Sequence, residues 1–311
     1  MTDTLVFYSG PDPFDDWQDA LRPHLGGDVR IEEASHVTDS ASVRFALVWN
    51  PPAGFFDRFP NLKLVINLGA GVDRLVARDD LPDVAITRLS DPEMGRMMAG
   101  YVLFAVLRHA RDIPHYEAAQ ARREWAYRHP RAMEDITVAI LGLGELGAMA
   151  ALEVARQGCD THGWATRPRD LEGVTVHSGE EALRPLLSRA DIVVSMLPLT
   201  PRTRRLLDAD AFAAMKPGAS FVNASRGEVV DEDALVDALR SGRLSGATLD
   251  VFESEPLAPD HPLWTLPGVL ITPHLASTAL PRSAAPQIAR NIRAVQSGGK
   301  PVNEVSRTRG Y

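Results

Sequence analysis

Thr137-Val-Ala-Ile-Leu-Gly-Leu-Gly-Glu-Leu-Gly147 is the stretch on which the reading of this chain turns. An aliphatic, β-branched run from Ile136 to Leu141 meets glycines at 142, 144 and 147. A helical pattern follows from Glu145 to Gln157, with Gly158 placed to stop it. The order is strand, tight turn, helix, and the G-x-G-x-x-G spacing is that of a dinucleotide-binding turn. Gly142 permits the turn, Gly144 lets backbone approach a pyrophosphate, and Gly147 lets helix and strand pack closely. The helix N-terminus, at Glu145 and Leu146, offers unpaired N–H groups and partial positive charge to phosphates.

Around this stretch the composition is that of a globular chain. Its 311 residues suit two domains or one large one, and 45% hydrophobic residues suffice for packed cores. A net charge of −8 argues against a nucleic-acid partner held through phosphates. Cys159 is the one cysteine, so no intrachain disulfide can form, and a buried structural role is expected for it. The N-terminus lacks a basic segment followed by an apolar one. The longest apolar run, Met97 to Leu107, is too short to span a bilayer. These features lead to the expectation of a soluble, cytoplasmic protein.

Before the glycine-rich stretch, strands are expected at 5–8, 45–49, 64–67 and 84–87, with a helix at 14–24 entered through Asp12-Pro13. Such alternation implies a first α/β domain built on a parallel sheet. One long helix follows, from Pro92 to about Arg111, placed as a hinge element between domains. Residues 117–134, polar and rich in Arg, read as a helix end and a surface loop. Beyond the glycines, strands are expected at 159–164, 191–198, 219–223, 247–251 and 269–272, making six in all, with helices at 180–188 and 232–241. Asp231 is placed to cap the second of these helices and Gly242 to end it. A last helix at about 280–297 returns the chain to the first domain.

Ligands of an open parallel sheet lie beyond the carboxyl ends of its strands. Three ionisable residues follow strand ends there: Arg226, Glu255 and His274. An isolated residue of any of these types in a loop is ordinarily a solvated surface group. Three at one edge of a cofactor sheet suit hydride transfer to a 2-keto acid. Arg226 can bind a carboxylate through its planar fork. His274 can exchange a proton near neutral pH, and an adjacent Glu255 favours the imidazolium form.

These residues carry a resemblance. Gly142-Leu-Gly-Glu-Leu-Gly147, Asn223-Ala-Ser-Arg-Gly227, Leu249-Asp-Val-Phe-Glu-Ser-Glu-Pro-Leu257 and Thr272-Pro-His-Leu-Ala-Ser277 resemble the D-isomer-specific 2-hydroxyacid dehydrogenase family. Ala46-Leu-Val-Trp-Asn-Pro-Pro52, Asn67-Leu-Gly-Ala-Gly-Val-Asp73 and Arg309-Gly-Tyr311 resemble its glyoxylate/hydroxypyruvate reductase branch. The resemblance implies an α/β fold of two Rossmann-like domains with doubly wound parallel sheets. The cofactor domain, at 99–279, would be inserted into a discontinuous, flavodoxin-like substrate domain formed by 1–98 and 280–311. It implies catalytic roles for Arg226, Glu255 and His274, and reduction of glyoxylate to glycolate or hydroxypyruvate to D-glycerate. N–H groups of Ala70, Gly71 and Val72 would hold the substrate carboxylate, and Trp49 would wall the pocket, with a core tryptophan the plainer reading. Leu197, Pro198, Ala224 and Asp250 would line the nicotinamide side, where Asp250 either accepts from the carboxamide or braces its own loop. Thr203, Ser225, Ala276 and Ser277 complete the implied cofactor contacts. A homodimer formed through the nucleotide domain is also implied.

In one position the chain departs from the family pattern. Members using NAD typically carry an Asp after the second strand of the cofactor sheet, for the ribose hydroxyls. Here Gly163-Trp-Ala-Thr-Arg-Pro-Arg169 puts Ala165 in that place. Thr166 and either Arg167 or Arg169 can serve a 2′-phosphate, so NADP(H) is expected in preference to NAD(H). The rival readings are another D-2-hydroxyacid dehydrogenase and a dinucleotide-sensing binding protein on the same fold.

Overall fold

The computed structural model describes residues 2–307, so Arg309-Gly-Tyr311 lies outside the described residues. The chain divides into two compact units. One runs to Met94 and resumes at Thr278, and the other is Gly95–Ser277.

In the first unit, strands β1 (Asp3–Tyr8), β2 (Val29–Glu33), β3 (Val43–Val48), β4 (Leu64–Asn67) and β5 (Ala85–Arg88) form a parallel sheet ordered β2-β1-β3-β4-β5. That is the flavodoxin-like order, with its switch point between β1 and β3. Helix α1 (Phe14–Leu25) buries Trp17, Leu21 and Leu25, a four-residue spacing that puts all three on one face. The sequence does not announce β2: of Val-Arg-Ile-Glu-Glu only Val29 is buried, as suits an edge strand. A short helix α2 (Asp73–Val76) follows β4.

Helix α3 (Pro92–Ala110) carries the boundary between the units, and α4 (Ile113–Ala121) follows it. The helix end and loop expected over 117–134 are the last turn of α4 and the exposed segment that follows it. Only Ala119 of that helix is buried, so it shows no apolar stripe to read.

The second unit holds β6 (Thr137–Leu141), α5 (Glu145–Arg156), β7 (Asp160–Ala165), β8 (Thr175–Ser178), α6 (Leu183–Arg189), β9 (Ile192–Ser195), α7 (Ala209–Ala214), β10 (Ala219–Asn223), α8 (Glu232–Arg240), β11 (Leu244–Leu249) and β12 (Val269–Ile271). Its seven strands are parallel, in the order β12-β11-β10-β9-β6-β7-β8. This is the doubly wound arrangement, with the switch point between β6 and β9. The expected count was six. The seventh, β8, is Thr-Val-His-Ser with no fully buried residue, too polar to stand out in the sequence. Buried β-branched and aliphatic residues such as Val138, Ile140, Val193, Val194 and Val222 fill both faces, as an all-parallel sheet requires. Asp231 caps α8 by accepting from the Ala234 N–H at 3.2 Å.

Helix α9 (Pro281–Gln296) returns the chain to the first unit and packs on α1. It buries Ala284, Ala285, Ile288, Ala289 and Ile292. The tail is then stitched down, Asn291 pairing its amide with both the N–H and C=O of Val302. Among the described residues, no helix is long and apolar enough to cross a membrane. Cys159 is buried and free.

Candidate active site

The glycine-rich turn leaves β6 at the switch point of the second sheet. Gly142 has φ of 101°, a conformation costly for any residue with a Cβ. A Cβ on Gly147 would stand 2.0 Å from the Gly142 carbonyl oxygen, so α5 could not sit this close to the turn with any side chain there. A Cβ on Gly144 would meet no heavy atom within 4 Å: this residue faces open space. Gly144 also caps α5 with backbone alone, so the first-turn N–H groups at Glu145, Leu146 and Gly147 have no capping side chain.

At the end of β7, Ala165 is half-buried while Thr166, Arg167 and Arg169 are exposed. Arg169 donates from Nη1 to the Leu143 carbonyl, which ties this segment to the glycine turn. Leu197 is buried and Pro198 exposed just beyond β9. Thr203 donates to the Pro198 carbonyl at 2.6 Å and so closes the 198–203 loop.

Three adjacent strands, β10, β11 and β12, deliver the ionisable residues. After β10, buried Asn223 organises the turn: its Oδ1 accepts from the Ser225 N–H and hydroxyl, and its Nδ2 donates to the Arg226 carbonyl at 3.1 Å. Ala224 and Ser225 are buried, and Arg226 donates from Nη1 to the Ser225 carbonyl at 2.7 Å. Gly227 is obligatory here, because a Cβ would fall 1.8 Å from the Phe252 carbonyl carbon. That close approach sets the Arg226 turn against the loop that leaves β11. In that loop the Phe252 N–H donates to Glu255 Oε1 at 3.1 Å, which aims the other oxygen. Glu255 Oε2 lies 3.0 Å from His274 Nδ1. A carboxylate only accepts, so Nδ1 carries the hydrogen and Nε2 is the nitrogen left to exchange a proton. The pair is partly open, with side-chain exposures of 31% for His274 and 19% for Glu255.

His274 is itself held in an unfavourable backbone state, with φ of 54°. For a residue that is not glycine this costs about 1–3 kcal/mol. What offsets it is Asp250, buried to 2% exposure at the end of β11. The Asp250 carbonyl accepts from the His274 N–H at 2.8 Å, and its carboxylate accepts from the N–H groups of Leu275 and Ala276, both at 2.9 Å. A third donor, the Thr272 hydroxyl, reaches Oδ1 at 2.6 Å. Asp250 therefore braces the loop that presents His274. Ser277 follows Ala276 at the end of this unit.

Reading the sequence did not single out Asn223, Thr272 or Tyr101, whose hydroxyl lies 2.7 Å from Thr272 Oγ1. An Asn just past a strand end is a recognisable turn-maker. The other two act across contacts that no local pattern reveals.

In the first unit an equivalent device follows β4. Buried Asn67 donates from Nδ2 to the carbonyls of Gly69, at 3.1 Å, and Gly71, at 2.9 Å. In a trans peptide the C=O and the next N–H point oppositely. Drawing these two carbonyls inward turns the N–H groups of Ala70 and Val72 outward. Ala70 and Gly71 are half-buried and Val72 is buried. A Cβ on Gly69 would lie 2.6 Å from the Trp49 ring, so the tryptophan packs on this turn.

Fold and glycine turn together define a class, the dinucleotide-binding α/β proteins. Residues 103–276, more than half of the chain, match the family described as D-isomer specific 2-hydroxyacid dehydrogenase, NAD binding domain. A glyoxylate/hydroxypyruvate reductase A from Serratia proteamaculans is 38% identical over 279 residues, 88% of this chain and 89% of the relative. Among solved structures, a D-isomer specific 2-hydroxyacid dehydrogenase from Xanthobacter autotrophicus Py2, in complex with NADPH and MES, is 58% identical with a TM-score of 0.95, over 100% of both chains. An NADPH-dependent glyoxylate/hydroxypyruvate reductase from Sinorhizobium meliloti, in complex with NADP and sulfate, is 33% identical with a TM-score of 0.93, again over 100% of both. The chain belongs to the D-isomer specific 2-hydroxyacid dehydrogenase family.

Proposed function

We propose that this chain is an NADPH-dependent reductase of small 2-keto acids, with glyoxylate and hydroxypyruvate as substrates. The observation that carries the reading is the 3.0 Å His274–Glu255 pair at the carboxyl edge of a sheet whose switch point holds the glycine turn. On this reading Gly95–Ser277 is the dinucleotide-binding domain and the other unit the substrate domain.

The residues fit such a cofactor. Open space at Gly144, an α5 N-terminus with no capping side chain and the absence of an acidic side chain at Ala165 suit a pyrophosphate and a 2′-phosphate. Thr166 and Arg167 would hold the 2′-phosphate, with Arg169 at the junction to the glycine turn. Leu197, Pro198, Thr203, Ala224, Ser225, Ala276 and Ser277 would form the nicotinamide end. When bound, NADPH supplies the hydride.

The chain's own residues do the rest. Arg226 binds the substrate carboxylate and polarises the carbonyl through a planar fork. In the other unit, the outward N–H groups of Ala70 and Val72 can donate to an anion, with Trp49 packed beside their turn. His274 holds a proton on Nε2 and gives it to the substrate oxygen as negative charge builds there. Glu255 accepts from Nδ1–H and so fixes the ring with Nε2 as the exchanging nitrogen. In the oxidative direction the neutral ring takes the proton back.

We further propose that the partner of this chain is a second copy. Trp125, at 100% exposure, and Tyr127, at 76%, stand on the segment after α4, and this much exposed aromatic surface suits an interface. We assign the protein to the cytoplasm, a reducing compartment with which a free Cys159 is compatible.

The reading is tested by following nicotinamide absorbance with purified protein, NADPH and a panel of 2-keto acids. Turnover with glyoxylate and hydroxypyruvate is expected. Cofactor binding with no turnover on any keto acid would instead favour the dinucleotide-sensing alternative.

A further inference from the structure

We propose that Tyr101, on helix α3, is a positioning residue for His274, acting through Thr272 and Asp250. The proposal rests on the function assigned above and concerns residues of the Gly95–Ser277 unit only.

The bonding fixes its own direction. The Asp250 carboxylate can only accept, so the Thr272 hydroxyl donates to it, at 2.6 Å. That hydroxyl has one hydrogen. The Tyr101 hydroxyl, 2.7 Å from Thr272 Oγ1, must therefore be the donor in their contact. A chain of donors runs from Tyr101 to Thr272 to Asp250.

At its far end the His274 N–H closes on the Asp250 carbonyl, and the next two N–H groups, those of Leu275 and Ala276, close on its carboxylate. Successive N–H groups around a left-handed residue form a concave nest that ordinarily takes an anion. Here the anion is the chain's own Asp250 carboxylate, and the left-handed residue is His274. Anything that fixes the carboxylate fixes the backbone of His274. Thr272 is one such clamp, and Tyr101 stops the Thr272 hydroxyl from turning away. Chained hydrogen bonds also polarise one another in a buried setting. The phenol belongs to a helix anchored further along, where Arg108 donates to the Gly268 carbonyl at 3.2 Å and His109 meets Thr248 at 3.0 Å. Tyr101 thus references the His274 loop to a rigid element rather than to another loop.

The experiment compares the unaltered protein with Tyr101→Phe, Thr272→Val, Thr272→Ser and the double variant Tyr101→Phe/Thr272→Val. Steady-state kinetics are measured with NADPH and a keto acid, and amide hydrogen exchange at 274–276 is measured without substrate. Loss of one buried hydrogen bond predicts a kcat about fivefold lower in Tyr101→Phe, with both KM values within about twofold and faster exchange at Leu275 and Ala276. Thr272→Val should match or exceed this, the double variant should add nothing further, and Thr272→Ser should behave as the unaltered protein. A Tyr101→Phe kcat within twofold of the unaltered value overturns the proposal, even if the melting temperature falls. So does a double variant in which the two single effects multiply. If the unaltered protein reduces no keto acid, the function reading fails, and the exchange arm alone decides whether Tyr101 holds this segment.

Discussion

Arg226 and Arg167 show what separates a cation that recognises from one that merely attracts. Arg226 is seated by the Asn223 turn, with one Nη1 bond already given to Ser225, so its guanidinium plane is set before substrate arrives. Lysine keeps the charge and loses the plane. Arg226→Lys is therefore expected to lower kcat/KM by about tenfold or more, since a point charge cannot span a carboxylate and a carbonyl oxygen. Near-normal efficiency in steady-state assays would show that charge alone suffices. Arg167 sits in the exposed segment after β7, where Ala165 removes the acid that would repel a 2′-phosphate. A unit charge 4 Å away at an effective dielectric of 20 is worth about 4 kcal/mol, enough to decide cofactor choice. Arg167→Ala should raise KM for NADPH and leave that for NADH nearly unchanged. Parallel rises in both would place Arg167 outside the phosphate contact.

Helix α3 is fixed to the β11–β12 edge by polar stitches, and one of them titrates. Burial, aided by the charge of Arg108, pushes His109 down to about 3. Its unfolded value is about 6.5, so between these limits the unfolded chain binds the extra proton. Stability is then full above pH 6.5 and falls as pH drops toward 3, by at most about 1.4 kcal/mol per pH unit. His109→Gln keeps an amide that can pair with Thr248 and cannot take up the proton. Denaturant midpoints at pH 7 and pH 5 should differ less in this variant than in the unaltered protein, and an equal difference would remove His109 from the acid response. The same elements show what was legible in advance. β4 and β10 match their expected limits because apolar β-branched runs end there at an asparagine and a turn. β2 and β8 escaped because edge strands with few buried residues carry no periodic apolar signal. The Arg226, Glu255 and His274 loops were readable from their places after strands. The bonds joining Tyr101 to Thr272, 171 residues apart, were not.

At the level of the molecule, two parallel sheets, flavodoxin-like and doubly wound, supply two carboxyl edges, each with an asparagine-braced turn. Both edges were foreseeable from the alternation of strands and helices. The self-association proposed above belongs at this level too. Sedimentation should give twice the 33.9 kDa chain mass, and Trp125→Glu should shift the protein toward monomer, since a carboxylate cannot be buried cheaply in an aromatic contact. A dimer indifferent to that change would place the interface elsewhere.

His274, as the proton donor of an NADPH-linked keto acid reduction, is the residue on which the proposed function turns. The measurement that reaches it most directly sets turnover of hydroxypyruvate against NADPH binding, in the unaltered protein and in His274→Ala. The unaltered protein should oxidise NADPH, and the variant should bind NADPH as before while losing about 10²–10⁴-fold in kcat. No oxidation of NADPH by the unaltered protein, or a variant kcat within fivefold of normal, would contradict it.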